Sequence, residues 1–183
     1  GVFRDRTHAP PVPDPELAAA IHDVIRLEQP EVVHSHNWMG RSFLPLKHWS
    51  KAKFVVSVHD YSLECATWIR MYEGSPCTGP GPITCLSCAA GNFNGPAKGA
   101  AVTLGNWAMM APERALVDMF IPVSAAVATG NGLTAGTRRC RIIPNFIPDD
   151  VAETHDESAQ YRAQLPPDGY LLFVGSLTRQ KGI

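Results

Sequence analysis

The chain has 183 residues, of which 45% are hydrophobic and 18% charged, with a formal net charge of −1. This is a globular balance that excludes a disordered tail protein, and the near-neutral charge excludes a field that would gather nucleic acid or anionic lipid. No apolar run is long enough to span a bilayer and Gly1 opens no signal-peptide pattern, so the expected setting is cytoplasmic, with peripheral membrane contact compatible with the composition.

The first thirteen residues are proline-rich and aperiodic and read as a loop. Asp14-Pro15 then opens a helix, with Asp14 as N-cap and Pro15 at the first helical position. Leu17, Ile21, Val24 and Ile25 fall at helical spacing, and Pro30 ends the run. "EVVHSH" reads as a short strand and "NWMGRSFLPLKHW" as a helix interrupted near Pro45. "KFVVSV" (Lys53 to Val58) is apolar on consecutive positions, as in a parallel strand covered on both faces.

Residues 60–98 break the alternation and read as an excursion without strong secondary structure. The helical pattern resumes over 100–119, with a kink expected at Pro112. "MFIPVS" is a further strand, with Ser124 placed to cap a helix from Ala125, and "RIIPNF" is another. Residues 148–169 are polar and proline-bearing, as in a linker. The strand Tyr170 to Val174 then runs into Gly175 and a basic loop with Arg179 and Lys181. That ending, with no initiator methionine at the start, predicts a piece of a longer chain. The repeated strand–helix order predicts an α/β fold, a doubly wound parallel sheet.

In open parallel sheets, ligands bind outside the carboxyl ends of the strands, which singles out His36, Asn37, His59, Asp60, Ser124, Asn145 and Gly175 onward. An imidazole at His59 can hydrogen-bond a sugar hydroxyl or a phosphate oxygen there, and His36 is expected to face the same crevice. His34 is expected to point into the packing between sheet and helices. Arg179 and Lys181, after a glycine turn, suit a diphosphate that leaves during reaction. The blander readings are a structural histidine and a solvated basic loop.

Four of the five cysteines lie close together: Cys65, Cys77, Cys85 and Cys88, with Cys140 alone as a bystander. A C-x2-C pair with two further thiols nearby suits a closed, tetrahedral structural zinc site better than two disulfides, free thiols or an iron–sulfur centre. Such a site would brace a loop with little apolar content and would not activate water.

Taken together, "PEVVHSHNW", "FVVSVHDY", "FIPVSAAV", "RIIPNFIPDD" and "LLFVGSLTRQKGI" resemble successive landmarks of the family-four (group 1) glycosyltransferases of the GT-B architecture, in order from Pro30 onward. The resemblance implies two Rossmann-like domains facing a cleft, with the nucleotide-sugar donor mainly on the second and the acceptor mainly on the first. Residues 1–147 would then be the acceptor-side domain without its first strand, carrying the cysteine-rich insertion at 60–98. Residues 148–169 would be a linker, and 170–183 the first strand and phosphate loop of a truncated donor domain.

His59 matches the family histidine that contacts the donor sugar near the reacting centre, and Lys181 the lysine that grips the donor diphosphate. The arginine usual after the glycine is replaced by Ser176, so Arg179 is the nearest substitute; Asn145 matches the interdomain "PN", followed here by Phe146 rather than glycine. The implied reaction is retaining transfer from a nucleoside-diphosphate sugar to an acceptor hydroxyl (saccharide, lipid-linked or small molecule), without a catalytic metal. By the resemblance, the paired glutamates of the family's donor domain would lie beyond Ile183, and because half of the cleft would be missing this stretch alone is expected to be inactive. Two other readings compete. A non-catalytic zinc module on an α/β scaffold accommodates the cysteines but leaves the strand-end motifs unexplained. A dinucleotide enzyme needs a glycine-rich turn after a strand, and "TGNGLTAG" (Thr129 to Gly136) follows a predicted helix.

Overall fold

The computed structural model describes residues 10–136, 139–149, 161, 164–166, 169–171, 173–175 and 177. They belong to two compact units, Gly1–Pro144 and Asn145–Ile183.

In the first unit, helix α1 (Pro15–Glu28) starts as predicted: the Asp14 carboxylate accepts from the Glu16 N–H at 3.0 Å and the Leu17 N–H at 3.4 Å. Its buried stripe is narrower than the spacing implied, since Ile25 is buried but Val24 stays 57% exposed. Strand β1 (Val32–His36) follows, then a 3₁₀ segment over Asn37–Leu46 where an interrupted helix was expected. This segment lies tight against β1, because a Cβ at Gly40 would overlap the Ser35 side chain. Strand β2 (Lys53–Val58) coincides with its predicted span.

The expected structureless excursion is instead largely folded. Strands β3 (Met71–Tyr72) and β4 (Ser75–Pro76) form a hairpin that turns on Glu73 and Gly74, both at positive φ. Helix α2 (Pro82–Asn92) holds both cysteines of the C-x2-C pair, and Pro82 at its first turn explains the start that flanking glycines and prolines disguise. Helix α3 (Pro96–Leu116) begins four residues earlier than expected and continues through Pro112. It packs closely on α2, since a Cβ at Gly99 would sit 2.6 Å from the Ala89 backbone. Strand β5 (Met119–Pro122) and helix α4 (Ala125–Gly130) complete the elements, and the Ser124 hydroxyl accepts from the Val127 N–H at 3.1 Å as predicted.

The fold is mixed α/β: a three-stranded parallel sheet in the order β1-β2-β5, flanked by helices. The run "RIIPNF" begins its pairing earlier than read. Phe120 donates to the Arg139 carbonyl at 2.7 Å, and Arg141 and Ile143 donate back to Phe120 and Pro122 at 3.0 and 3.1 Å. Pro144, which has no N–H, then breaks the ladder.

The register aligns Phe54, Val56 and Val58 with Phe120 and Pro122 on one sheet face, and these are buried against Phe43, Leu44 and Val117. Burying each large apolar side chain contributes about 1.5–3 kcal/mol before entropy is counted. The other face is more open: Val55 and Ile121 are half-buried, and His34 and His36 are exposed. Behind the core, Arg41 is fully buried with Nε and Nη2 at 3.1 and 2.8 Å from Glu113 Oε2, while Nη1 donates to the Pro11 carbonyl at 2.7 Å. Burial holds the Glu113 carboxyl above its ordinary range, with Arg41 pulling the other way.

No helix among the described residues is long and apolar enough to cross a membrane. In the second unit, residues 145–148 are exposed and Phe146 is 86% so. The expected strand at 170–174 shows no strand pairing at its described positions 170, 171, 173 and 174.

Candidate functional site

The carboxyl edge of the sheet gathers most of the nominated residues of the first unit. His36 closes β1, His59 and Asp60 follow β2, and Ser124 follows β5. Pairing sets His36 opposite Ser57, so His34, His36, Ser57 and His59 share one sheet face. The placement of His34 in the packing is therefore wrong, because residues two apart on a strand point the same way. His34 is exposed beside His36, with its Nε2 2.9 Å from Ser57 Oγ.

The three imidazoles form a row. The rings of His34 and His36 have centroids 4.8 Å apart, and those of His36 and His59 stack at 5.0 Å with 20° between planes. His36 Nδ1 lies 2.7 Å from His59 Nε2, a hydrogen bond in which one ring donates and the other accepts. Partial burial, then the neighbouring His34 and His59, lowers the His36 pKa, so this ring stays neutral at physiological pH.

The loop after His59 is held by Asp60, which the sequence singled out, and by Asn131, which it did not. The Asp60 carboxylate accepts from the Ser62 N–H at 2.9 Å, so this nominated residue shapes the loop. Fully buried Asn131 clamps the loop to α4: its Oδ1 accepts from the Leu63 N–H at 3.1 Å, and its Nδ2 donates to the carbonyls of Asp60 and Val127 at 2.7 and 2.8 Å. Trp38 Nε1 donates to the Ser62 carbonyl at 3.0 Å. Asn131 lies within "TGNGLTAG", whose first two residues end α4, so that stretch follows a helix and is not a dinucleotide turn. Nothing in its local sequence marks Asn131, because its partners in the loop after His59 are 68 and 71 residues away.

Beyond this loop lies a groove of about 680 Å³. Tyr61, Arg70 and Met71 line one side; Ala125, Ala126 and Thr129 line the other. Arg70 Nη1 donates to the Gly130 carbonyl at 2.6 Å and closes one end. Asn37 is exposed, in a left-handed conformation (φ 60°) where β1 passes into the 3₁₀ segment. Asn145 is exposed and Gly175 has φ 158°, both in the second unit. Arg179 and Lys181 lie outside the described residues.

The cysteine module brings its thiols together from a turn, a strand end and a helix. Cys65, Cys77 and Cys85 line one small cavity of about 20 Å³ with Glu64 and Arg70. The thiol of Cys77 donates to the Gly79 carbonyl at 3.4 Å, and Cys85 Sγ accepts from the Gly81 N–H at 3.3 Å. Burial pushes the Cys88 thiol pKa up, opposed by a hydrogen bond from Thr67 and reinforced by Cys65, Cys85 and Cys77. All four cysteines are half-buried and unbridged, and Cys140 is buried beside β5. Among the described residues, no group of three or more His, Cys, Asp or Glu side chains is placed to hold a metal ion.

No protein-family model, no curated protein and no solved structure matches this chain.

Proposed function

We propose that the chain is the acceptor-side part of a retaining glycosyltransferase of the GT-B architecture, working in the cytoplasm on a nucleoside-diphosphate sugar and an acceptor hydroxyl. The observation that carries this reading is His59, an exposed imidazole at the carboxyl edge of a parallel sheet, two residues from Tyr61 in the wall of a groove of about 680 Å³. A doubly wound sheet and a hinge at Asn145 belong to the same reading.

In this reaction the bond between the sugar's anomeric carbon and the diphosphate oxygen breaks. The acceptor oxygen forms its bond on the same face, and its proton passes to the leaving phosphate. His59 positions the donor sugar, while Lys181 and Arg179 neutralise the departing diphosphate.

The four thiols of the cysteine module suit zinc, the metal that favours tetrahedral thiolate sites. Three of them already border one cavity, and a bound cation would offset the burial that keeps Cys88 protonated. The metal would hold Cys65, Cys77, Cys85 and Cys88 together and supply structural bracing. The gathered thiols also support a second reading, a non-catalytic zinc-binding interaction module.

One experiment separates the two. The full-length protein is incubated with a panel of nucleoside-diphosphate sugars and released diphosphate is followed, with metal content measured on the same samples. Release from one donor, lost in His59→Ala and Lys181→Ala, is the expected result. A folded protein with one zinc per chain that releases diphosphate from no donor would count against the glycosyltransferase and favour the interaction module.

A further inference from the structure

Every neutral imidazole carries one N–H and one bare nitrogen, so a ring with one nitrogen engaged can offer a ligand only the other. At the carboxyl edge, His59 Nε2 is engaged by His36 Nδ1 at 2.7 Å. His59 Nδ1 has no partner among the described residues. We propose that His36 is the positioning residue for His59: it ties down Nε2, fixes the orientation of the ring, and leaves Nδ1 as the atom offered to the bound sugar. The last clause rests on the glycosyltransferase reading; the fixed ring orientation does not.

The arrangement behind His36 is that of a support. The two histidines stand on neighbouring paired strands, His36 as the last residue of β1 and His59 as the first beyond β2. The His34 ring packs beside His36 at 4.8 Å, and His34 is in turn tied to Ser57, which is buried in β2. His36 is therefore held by a strand, a neighbouring ring and the hydrogen bond, whereas His59 opens a loop. A side chain at a loop start needs a partner on a rigid element to keep one orientation. The nearest carboxylate in sequence, Asp60, is occupied by the Ser62 N–H at 2.9 Å and does not compete for the ring.

The test measures the order of the His59 ring by side-chain carbon relaxation of the labelled full chain, in wild type, His36→Ala and His36→Asn. The asparagine side chain sets a polar atom where Nδ1 stands, so it should restore the contact that alanine removes. An ordered His59 ring in wild type, mobile in His36→Ala and ordered again in His36→Asn, is the expected result. A His59 ring as ordered in His36→Ala as in wild type overturns the proposal. His36 is exposed, so the alanine variant should fold, and unchanged amide shifts in the core strands check this.

The kinetic arm uses the donor found in the screen. His36→Ala should lower kcat roughly 10- to 100-fold with little change in donor KM, and His36→Asn should recover most of it. Undiminished kcat in His36→Ala also overturns the proposal. If wild type turns over no donor, the glycosyltransferase reading fails, while the ring-order measurement still decides whether His36 positions His59.

Discussion

Replacing Asn131 should loosen the loop that follows His59, and the structure sets the size of the effect. Asn131→Ala removes three hydrogen bonds, of unequal weight. The Leu63 N–H is left buried without an acceptor, at a cost of about 1–3 kcal/mol. The Asp60 carbonyl is only partly buried and loses a donor, at about 1 kcal/mol. The Val127 carbonyl keeps the Asn131 backbone N–H at 3.2 Å, so its loss is small. The sum is about 2–4 kcal/mol, a large share of the roughly 5–15 kcal/mol that holds a domain of this size.

Asn131→Asp preserves the acceptor for Leu63 but turns an anionic oxygen toward two carbonyls. Its folded-state pKa should lie above the ordinary value of about 3.9, because only the protonated acid can donate there. The deficit of this variant relative to wild type is thus smallest below about pH 4 and grows as pH rises. Urea unfolding followed by tryptophan fluorescence at pH 4 and pH 7, with hydrogen exchange at the Leu63 amide, measures both. A loss under about 1 kcal/mol for Asn131→Ala, with Leu63 still protected, would refute the clamp.

Arg41→Met should destabilise by about 3–5 kcal/mol at neutral pH, because Glu113 is left charged in a buried site. Losing Arg41 raises the already elevated Glu113 pKa further, so the deficit should be smallest where Glu113 is protonated in both proteins and grow as pH rises through the wild-type Glu113 pKa toward that of the variant in urea titrations; a deficit independent of pH would contradict this. Gly99→Ala should cost about 1–2 kcal/mol net, since the gain in helix propensity is smaller than the cost of pushing α2 from α3. A rise in the thermal midpoint of Gly99→Ala would show that the two helices separate freely.

What the sequence disclosed were features with local causes. Lys53 to Val58 is read at its true length because a β-branched apolar run between polar residues admits few other conformations. Asp14 and Ser124 are caps whose hydrogen bonds reach two or three residues. The misreadings came from partners far apart in the chain or from neglected periodicity. Helix α2 was hidden because Gly79, Pro80, Gly81 and Pro82 mask an ordinary helical interior, and its stability comes from packing on α3. His34 was misassigned although strand alternation alone puts it beside His36. The Arg41–Glu113 pair spans 72 residues, and no spacing rule reaches that far.

The cysteine module and the groove share two residues, which constrains what the module can do. Arg70 and Cys77 border both the thiol cavity and the groove beyond His59. Arg70 also joins the two sides of the groove, donating to Gly130 at the end of α4 and, at 3.3 Å, to the Thr78 carbonyl in the module. No hydrogen bond among the described residues links a thiol to His36 or His59; the module meets the groove through Arg70 and Cys77. That connection is mechanical. Drawing Cys77 toward Cys65, Cys85 and Cys88 fixes the segment that carries Pro76 and Met71, and with it the groove wall on the side away from α4. Under the proposed glycosyltransferase function, the thiols would set which acceptors fit and the imidazole row how fast a fitted acceptor reacts, and substitutions in the two should separate along that line.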